Sequence, residues 1–432
     1  MKMANMDDYF DVVIVGTGAA GLYCALNLPA RYRILLLTKQ KADESDSFLA
    51  QGGICMQHGE ADYRPFFDDT MRAGHYENNP ATVDLMIRSS NSIIRDLVRR
   101  GVRFARDDHG ALRFTREGAH SRPRILFHED ITGHEITQTL LNEVLRCENI
   151  ELREHTTLLD FFADASACGG VIAAGPDGEP RAIGAGAVVL ACGGIGGVYK
   201  NSTNFPHITG DAIAMALRHG VACEHLDYIQ IHPTTLYSHR KGRRFLISES
   251  VRGEGALLLD KNGNRFTNEL QPRDVVSAAI RAQMEKDGTD HVWEDMRPIG
   301  EAAIREHFPN ILERCEEEGY DPIHEPIPVV PAQHYFMGGI TADLSSRTAL
   351  PRLYACGETC CNGVHGRNRL ASNSLLESLV FAQRAADDIL YGEPPVFTGD
   401  KPDLAPYREQ EPLFAAYQQE VLTAIERSKN HE

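Results

Sequence analysis

The sequence predicts an α/β fold in which a parallel sheet flanked by helices is interrupted by an inserted α+β segment, and three observations carry that expectation. Almost at the N-terminus, Asp11-Val-Val-Ile-Val-Gly16-Thr17-Gly18-Ala19-Ala20-Gly21 runs from an apolar, β-branched stretch into a glycine-rich turn. The same texture returns as Ala187-Val-Val-Leu-Ala191 entering Gly193-Gly194, and again as Leu353-Tyr-Ala-Cys-Gly357 before Glu358. Between these, residues 223 to 334 differ: short strands, charged helices expected around Ala278 to Lys286 and Glu301 to Glu318, and a proline-rich exit at Pro322 to Pro331.

Val12 to Val15 reads as a central parallel strand, and Leu22 to Leu28 has apolar side chains at helical spacing behind the turn. The unit is Rossmann-like, and each glycine has a task. Gly16 makes the tight turn, Gly18 lets the backbone approach a pyrophosphate, and Gly21 lets helix and strand pack closely. A phosphate placed there meets the positive end of the helix dipole. The second strand, Ile34 to Leu37, ends at Thr38-Lys39, where a nicotinamide site usually carries an acidic residue for a ribose hydroxyl. That departure argues against NAD.

A chain of 432 residues has room for two or three domains, and its net charge of −17 disfavours nucleic acid or an anionic membrane as partner. Anionic ligands must then be captured by a local positive pocket. The ten cysteines show no metal-type pairing, and without a leader pattern reduced thiols in the cytoplasm are expected. No apolar run is long enough to span a bilayer. Pro394 to Pro406 holds four prolines and reads as a linker.

Ser47-Phe48-Leu-Ala50-Gln51-Gly52-Gly53, with Lys39, resembles the flavoprotein family containing succinate dehydrogenase, fumarate reductase and L-aspartate oxidase. The resemblance continues through Thr209-Gly-Asp211, Gln230-Ile-His232-Pro-Thr, Glu249-Ser-Val-Arg252-Gly-Glu-Gly, Pro272-Arg273-Asp274, His334-Tyr-Phe-Met-Gly-Gly, and Arg369-Leu-Ala-Ser372-Asn-Ser374-Leu375-Leu-Glu377. It implies FAD as cofactor, bound by Gly16, Thr17, Gly18, Ala19, Ala20, Gly21, Lys39, Ser47, Phe48, Ala50, Gln51, Gly52, Gly53, Asp211, Glu358, Ser374 and Leu375. It also implies an FAD-binding domain in two parts, 1–222 and 335–393, a capping domain at 223–334 that closes over the flavin, and a linker with a short C-terminal helix at 394–432. Larger relatives carry a C-terminal helical domain for which the stretch beyond the linker is too short.

Arg369 stands just before Ser372-Asn-Ser-Leu-Leu, which reads as a helix start with hydroxyl and amide caps. Such an end stabilises negative charge on a reduced flavin. For a dicarboxylate, the family motifs supply Gln230, His232, Ser248, Glu249, His334 and Arg369, and guanidinium suits bidentate carboxylate binding. Arg273 is assigned proton transfer by the resemblance, with a second carboxylate clamp as the plainer role. In covalently flavinylated relatives a histidine stands where this chain has Asp46, so FAD is expected to be noncovalent. Thr115-Arg116-Glu117-Gly118-Ala119-His120-Ser121 resembles the loop of the aspartate-oxidising branch, whose Glu meets a substrate ammonium. A Glu pairing with Arg116 or Arg122 is the plainer alternative.

The resemblance therefore implies FAD-dependent oxidation of L-aspartate to iminoaspartate, with O2 or fumarate as acceptor, supplying quinolinate synthase in NAD synthesis. Catalytic roles fall to Arg273, His232, His334 and Glu117. Two alternatives stay open: a soluble fumarate reductase, and a flavin-binding subunit that passes electrons to an iron–sulfur protein.

Overall fold

The strand Tyr9–Val15, buried from Val12 onward, forms the centre of the main sheet, in a computed structural model that describes residues 8–240, 242–392 and 396–430. Ile34–Leu37 pairs on one side and Pro180–Leu190 on the other, both parallel. Ile150–Arg153 extends the first side, and Leu353–Ala355 runs parallel to Pro180–Leu190. The seven-stranded sheet is completed by Cys168–Ala174 and Thr157–Ala163, which are antiparallel. The strand expected from Ala187 thus begins earlier, because Pro180 to Gly184 pairs with Gly170 to Ala174. That part, Pro180-Arg-Ala-Ile-Gly184, has a single β-branched residue and so reads only weakly as strand.

Helix Ala19–Asn27 starts at Gly18, which has no side chain to cap it, and Ser47 Oγ accepts from Ala19 N at 3.0 Å instead. It packs against Asn373–Tyr391, a helix buried along Leu375, Leu376, Leu379 and Val380. Both belong to the larger of the hydrophobic cores.

A second sheet is antiparallel, in the order Ile229–Leu236, Ile327–Phe336, Val292–Asp295, Leu257–Leu259. Helix Arg273–Asp287 packs on it, starting directly after Pro272 and five residues before the expected Ala278. The helix expected from Glu301 to Glu318 is two, Glu301–His307 and Pro309–Glu317. Pro309 has no N–H to continue the first and its fixed φ suits the start of the second.

The expected linker start at Pro394-Pro395 lies outside the described residues. From 396 onward the chain is anchored: Phe397 packs edge-on to Phe162 with centroids 5.6 Å apart. Helix Gln410–Lys429 lies against Asp211–Arg218, and Tyr417 donates to Leu159 O at 2.7 Å. Among the described residues no helix is long and apolar enough to cross a membrane.

Candidate active site

A cleft of about 1680 Å³, open mouth included, runs from the glycine turn after Val15 to the second sheet. At its first end the turn is dictated by backbone contacts. Gly16 adopts φ +112°, and a Cβ there would stand 2.0 Å from Ala191 O, while a Cβ on Gly21 would stand 1.9 Å from Gly16 O. Gly18 differs, since its Cβ would meet no backbone but only side-chain atoms of Ser47, at 3.1 Å, and Ser45, at 3.9 Å, and the residue faces the cleft. Thr17, Ala19, Ala20, Ser47, Ala50, Gln51, Gly52, Gly53, Ser374 and Leu375 line the same cleft. Lys39 Nζ donates to Asp211 Oδ2 at 2.7 Å and to His207 O at 3.2 Å, so two expected cofactor ligands stand side by side. Glu358 lines the wall and accepts from Phe336 N at 2.9 Å; burial, then the neighbouring Asp46 charge, push its carboxyl up to about 8.

Two expected cofactor residues are placed otherwise. Gly21 sits behind the turn as a packing residue, and Phe48 points into the core, edge-on to His134 at 5.7 Å, because its ring is too apolar to leave in a polar cleft. Asp46 lines the cleft with its carboxyl buried: one oxygen accepts from Phe205 N at 2.9 Å, and burial pushes the group up to about 7.

The other end brings Glu117, His232, Ser248, Glu249, Arg273, His334 and Arg369 around one space. Arg273, the first residue of its helix, pairs through Nε with Glu249 and donates from Nη1 to Gln230 Oε1 at 2.8 Å. Arg369 Nε donates to the same oxygen at 3.3 Å, while its guanidinium lies 4.0 Å from the Tyr335 ring centre. Gln230 was expected to touch substrate. It stands behind the two arginines instead, with its Nε2 donating to Asn368 Oδ1 and Arg369 O, both at 2.8 Å. One amide thereby fixes the spacing of two cations. Burial, then Arg273, bring the Arg369 guanidinium down to about 10, leaving it charged at neutral pH.

Burial would raise the Glu249 carboxyl, but Arg273 and Arg252 together hold it below the ordinary value, so it is ionised. Glu117 moves the other way, raised by burial and by the Glu249 charge. Its oxygens accept from Ser250 Oγ at 2.8 Å and Ser372 Oγ at 2.6 Å, which excludes the plainer pairing with Arg116 or Arg122 as its anchor. His232 and His334 meet edge-on at 5.0 Å, and burial followed by Arg273 holds both well below the usual imidazole range. They act as neutral donors or acceptors. Thr203 Oγ1 lies 2.8 Å from His334 Nδ1, and the Ser248 hydroxyl accepts from Ser250 N at 3.2 Å.

The helix at Asn373 is not capped by hydroxyls as expected. Ser372 is left-handed, with φ +61°, and turns its hydroxyl to Glu117; Ser374 accepts from Arg369 Nη1. The helix N–H groups are therefore left facing the cleft. Sequence reasoning missed Ser250 and Ser372 as holders of Glu117, along with Thr203 and the lining residue Arg243. Arg243 sits in His239-Arg-Lys-Gly-Arg-Arg244, which reads as a solvated charge run.

Five buried polar atoms on the lining residues have no protein partner: Ser45 Oγ, Asp46 Oδ2, Gln51 Oε1, Asn204 Oδ1 and His232 Nε2. Spread along the cleft, with a helix N-terminus and the Lys39–Asp211 pair, they fit a long ligand carrying phosphates, hydroxyls and a polar ring.

Comparison with known proteins agrees. The FAD binding domain family matches residues 11–375. An L-aspartate oxidase of Clostridium perfringens is 48% identical over 380 residues, covering 88% of this chain and 86% of that one. One of Clostridium acetobutylicum is 47% identical, covering 88% and 87%. Among solved structures, E. coli quinol fumarate reductase superposes with TM-score 0.82 at 31% identity, over 95% of this chain and 74% of that one.

Proposed function

Because the chain belongs to the L-aspartate oxidase family of FAD-binding flavoproteins, we propose that it oxidises L-aspartate to iminoaspartate, with FAD held without a covalent bond and O2 or fumarate taking the electrons. The observation that carries this reading is the arrangement of two buried guanidinium groups, one of them paired with Glu249, and the buried Glu117 carboxyl around a single space at the cleft's end. Arg369 and Arg273, spaced by Gln230, suit the two carboxylates of a four-carbon diacid. Glu117 suits the ammonium: a cation beside it offsets the burial and the Glu249 repulsion that raise its pKa.

Asp46 in place of histidine supports the noncovalent attachment. When bound, FAD supplies the two-electron chemistry, and Gly16 to Ala20, Lys39, Asp211, Glu358 and the start of helix Asn373–Tyr391 are the groups that would hold it. In the fumarate direction Arg273 is the proton donor at carbon, refilled through the ionised Glu249 and then Arg252, whose Nη2 lies 3.8 Å from Glu249 Oε2. His232 and His334, both neutral, polarise the bound carboxylate without adding charge. We assign residues 223–334 as a cap on an FAD-binding domain formed by 1–222 and 335–393. The product would be consumed by quinolinate synthase in the cytoplasm.

A second reading, a fumarate reductase, is favoured by one observation: burial and the Glu249 charge raise the Glu117 carboxyl against the two serine hydroxyls that favour its ionised form, which weakens the repulsion a plain dicarboxylate would meet. Anaerobic mixing of the yellow protein with L-aspartate separates the two. Bleaching of the flavin absorbance supports the oxidase; an unbleached flavin in a protein that still reduces fumarate selects the reductase. Acid precipitation should leave FAD in the supernatant.

A further inference from the structure

Glu294 stands where the fold calls for an apolar residue. It belongs to strand Val292–Asp295, two positions after the buried Val292, and its cross-strand neighbours are Leu258 and Ile327. All three are 0% exposed, within a core that also holds Val276, Ile280, Phe308 and Cys315. Neither carboxyl oxygen of Glu294 has a hydrogen-bond partner. A carboxyl so placed costs stability and demands an explanation.

The complementary group is Arg252. Its side chain is also fully buried, and its Nε and Nη2 have no hydrogen-bond partner, while Nη1 donates to Glu269 O at 2.7 Å. Orphaned donors and orphaned acceptors thus occur in the same apolar core, and the charge of Arg252 acts on Glu294. On its other side Arg252 approaches Glu249, which pairs with Arg273. Resting on the function proposed above, we infer that Glu294 is the proton reservoir behind Arg252, feeding the line Arg252, Glu249, Arg273 that protonates fumarate.

The need for such a group follows from the chemistry of that line. An arginine passes a proton only by accepting one as it gives one, since it stays protonated at all working pH values. Glu249 is ionised and has none to give. A neutral carboxylic acid at the far end supplies what the line lacks. In the balanced step, fumarate gains one hydrogen as hydride from FAD that L-aspartate has reduced, and one as a proton from Arg273, giving succinate. Glu249, Arg252 and Glu294 each shift one proton forward. Glu294 is left ionised and recovers its proton from solvent by way of Glu269, whose partner Arg265 is half exposed, 2.6 Å away.

The charged and titratable groups facing Glu294 are few. They are Arg252 from the helix at Glu249, Glu269 from the segment after Leu257–Leu259, and Cys315 from Pro309–Glu317. Burial, offset in part by Arg252 and reinforced by Glu269, pushes Glu294 from its ordinary 4.5 up to about 8. Glu294 therefore stays protonated in the folded chain while the unfolded chain ionises above pH 4.5. Stability should fall as pH rises from there towards about 8.

The test uses the FAD-loaded enzyme, reduced anaerobically with L-aspartate and then mixed with fumarate, in wild type and in Glu294→Gln, Glu294→Leu and Glu294→Asp. In wild type the fumarate step should slow above about pH 8. In the Gln and Leu variants it should be slower by at least about tenfold and lose that pH dependence, with partial recovery in Asp. Reduction by L-aspartate should be unchanged in all. A second readout needs no cofactor: thermal unfolding of the apoprotein from pH 5 to 8 should be flatter in Glu294→Leu than in wild type. An unchanged fumarate rate and profile in folded Gln and Leu variants would overturn the relay alone. Wild-type flavin that L-aspartate does not bleach would overturn the proposed oxidase function, whereas bleached flavin that fumarate does not reoxidise would overturn the relay and leave O2 as the acceptor.

Discussion

At the dinucleotide end of the cleft the chain offers backbone, small residues and one Lys39–Asp211 pair, whereas the substrate end is made of charged side chains from widely separated segments that hold one another. The first end is specified by what is missing: side chains at Gly16, Gly18 and Gly21. The second is specified by exchange, with Gln230 spacing Arg273 and Arg369, and Ser250 and Ser372 holding Glu117. A ligand that is common to many proteins can be met by a local motif. Discrimination among four-carbon acids needs groups brought together by the whole fold.

The contrast predicts failures of different kinds, beginning with the largest. Gly21→Ala puts a Cβ 1.9 Å from backbone and should prevent folding, seen as loss of soluble protein or of a cooperative thermal transition. Gly18→Val meets the Ser47 and Ser45 side chains rather than backbone, so the protein should fold yet come off the column colourless, because the branch fills the pyrophosphate's space. A yellow Gly18→Val protein would show that this turn does not hold the dinucleotide.

At the substrate end the fold and the yellow colour should survive, and the chemistry should fail. Arg369→Leu should weaken every dicarboxylate, by about 3–5 kcal/mol, since it removes one partner of a desolvated charge pair. Titration of flavin absorbance with fumarate and succinate measures this. Arg273→Leu should lower turnover more than affinity, and fumarate reduction most of all, because that step needs the proton assigned to Arg273. If steady-state kinetics showed only a raised KM, Arg273 would be a second clamp.

The difference between the ends also explains what could be read in the chain. The strand Tyr9–Val15, its turn and the helix after it are local, and residues 11 to 28 contain the whole message. Family motifs named charged residues that the fold brings around one space. They could not tell which touch the cleft, since Gln230 and Phe48 have partners more than a hundred or more than eighty residues away, Asn368 and His134. Ser372 reads as a helix cap in any window of sequence, and only the distant Glu117 draws its hydroxyl elsewhere. Pro309 was legible and should have divided the expected helix. Glu294 gave no signal, because a Glu in a short strand reads as an exposed edge until the core on both sides of it is assembled.

The central claim is that one carboxylate, Glu117, turns a dicarboxylate site into one for L-aspartate, and the ratio of kcat/KM for aspartate oxidation to that for fumarate reduction tests it most directly. In Glu117→Gln the aspartate value should fall by about 1–3 kcal/mol, roughly ten- to a hundredfold, as the ammonium loses its counter-charge. Fumarate reduction should hold steady or improve, since fumarate is freed of a like charge. Equal losses for both substrates would contradict the account and leave Glu117 as a brace between Ser250 and Ser372.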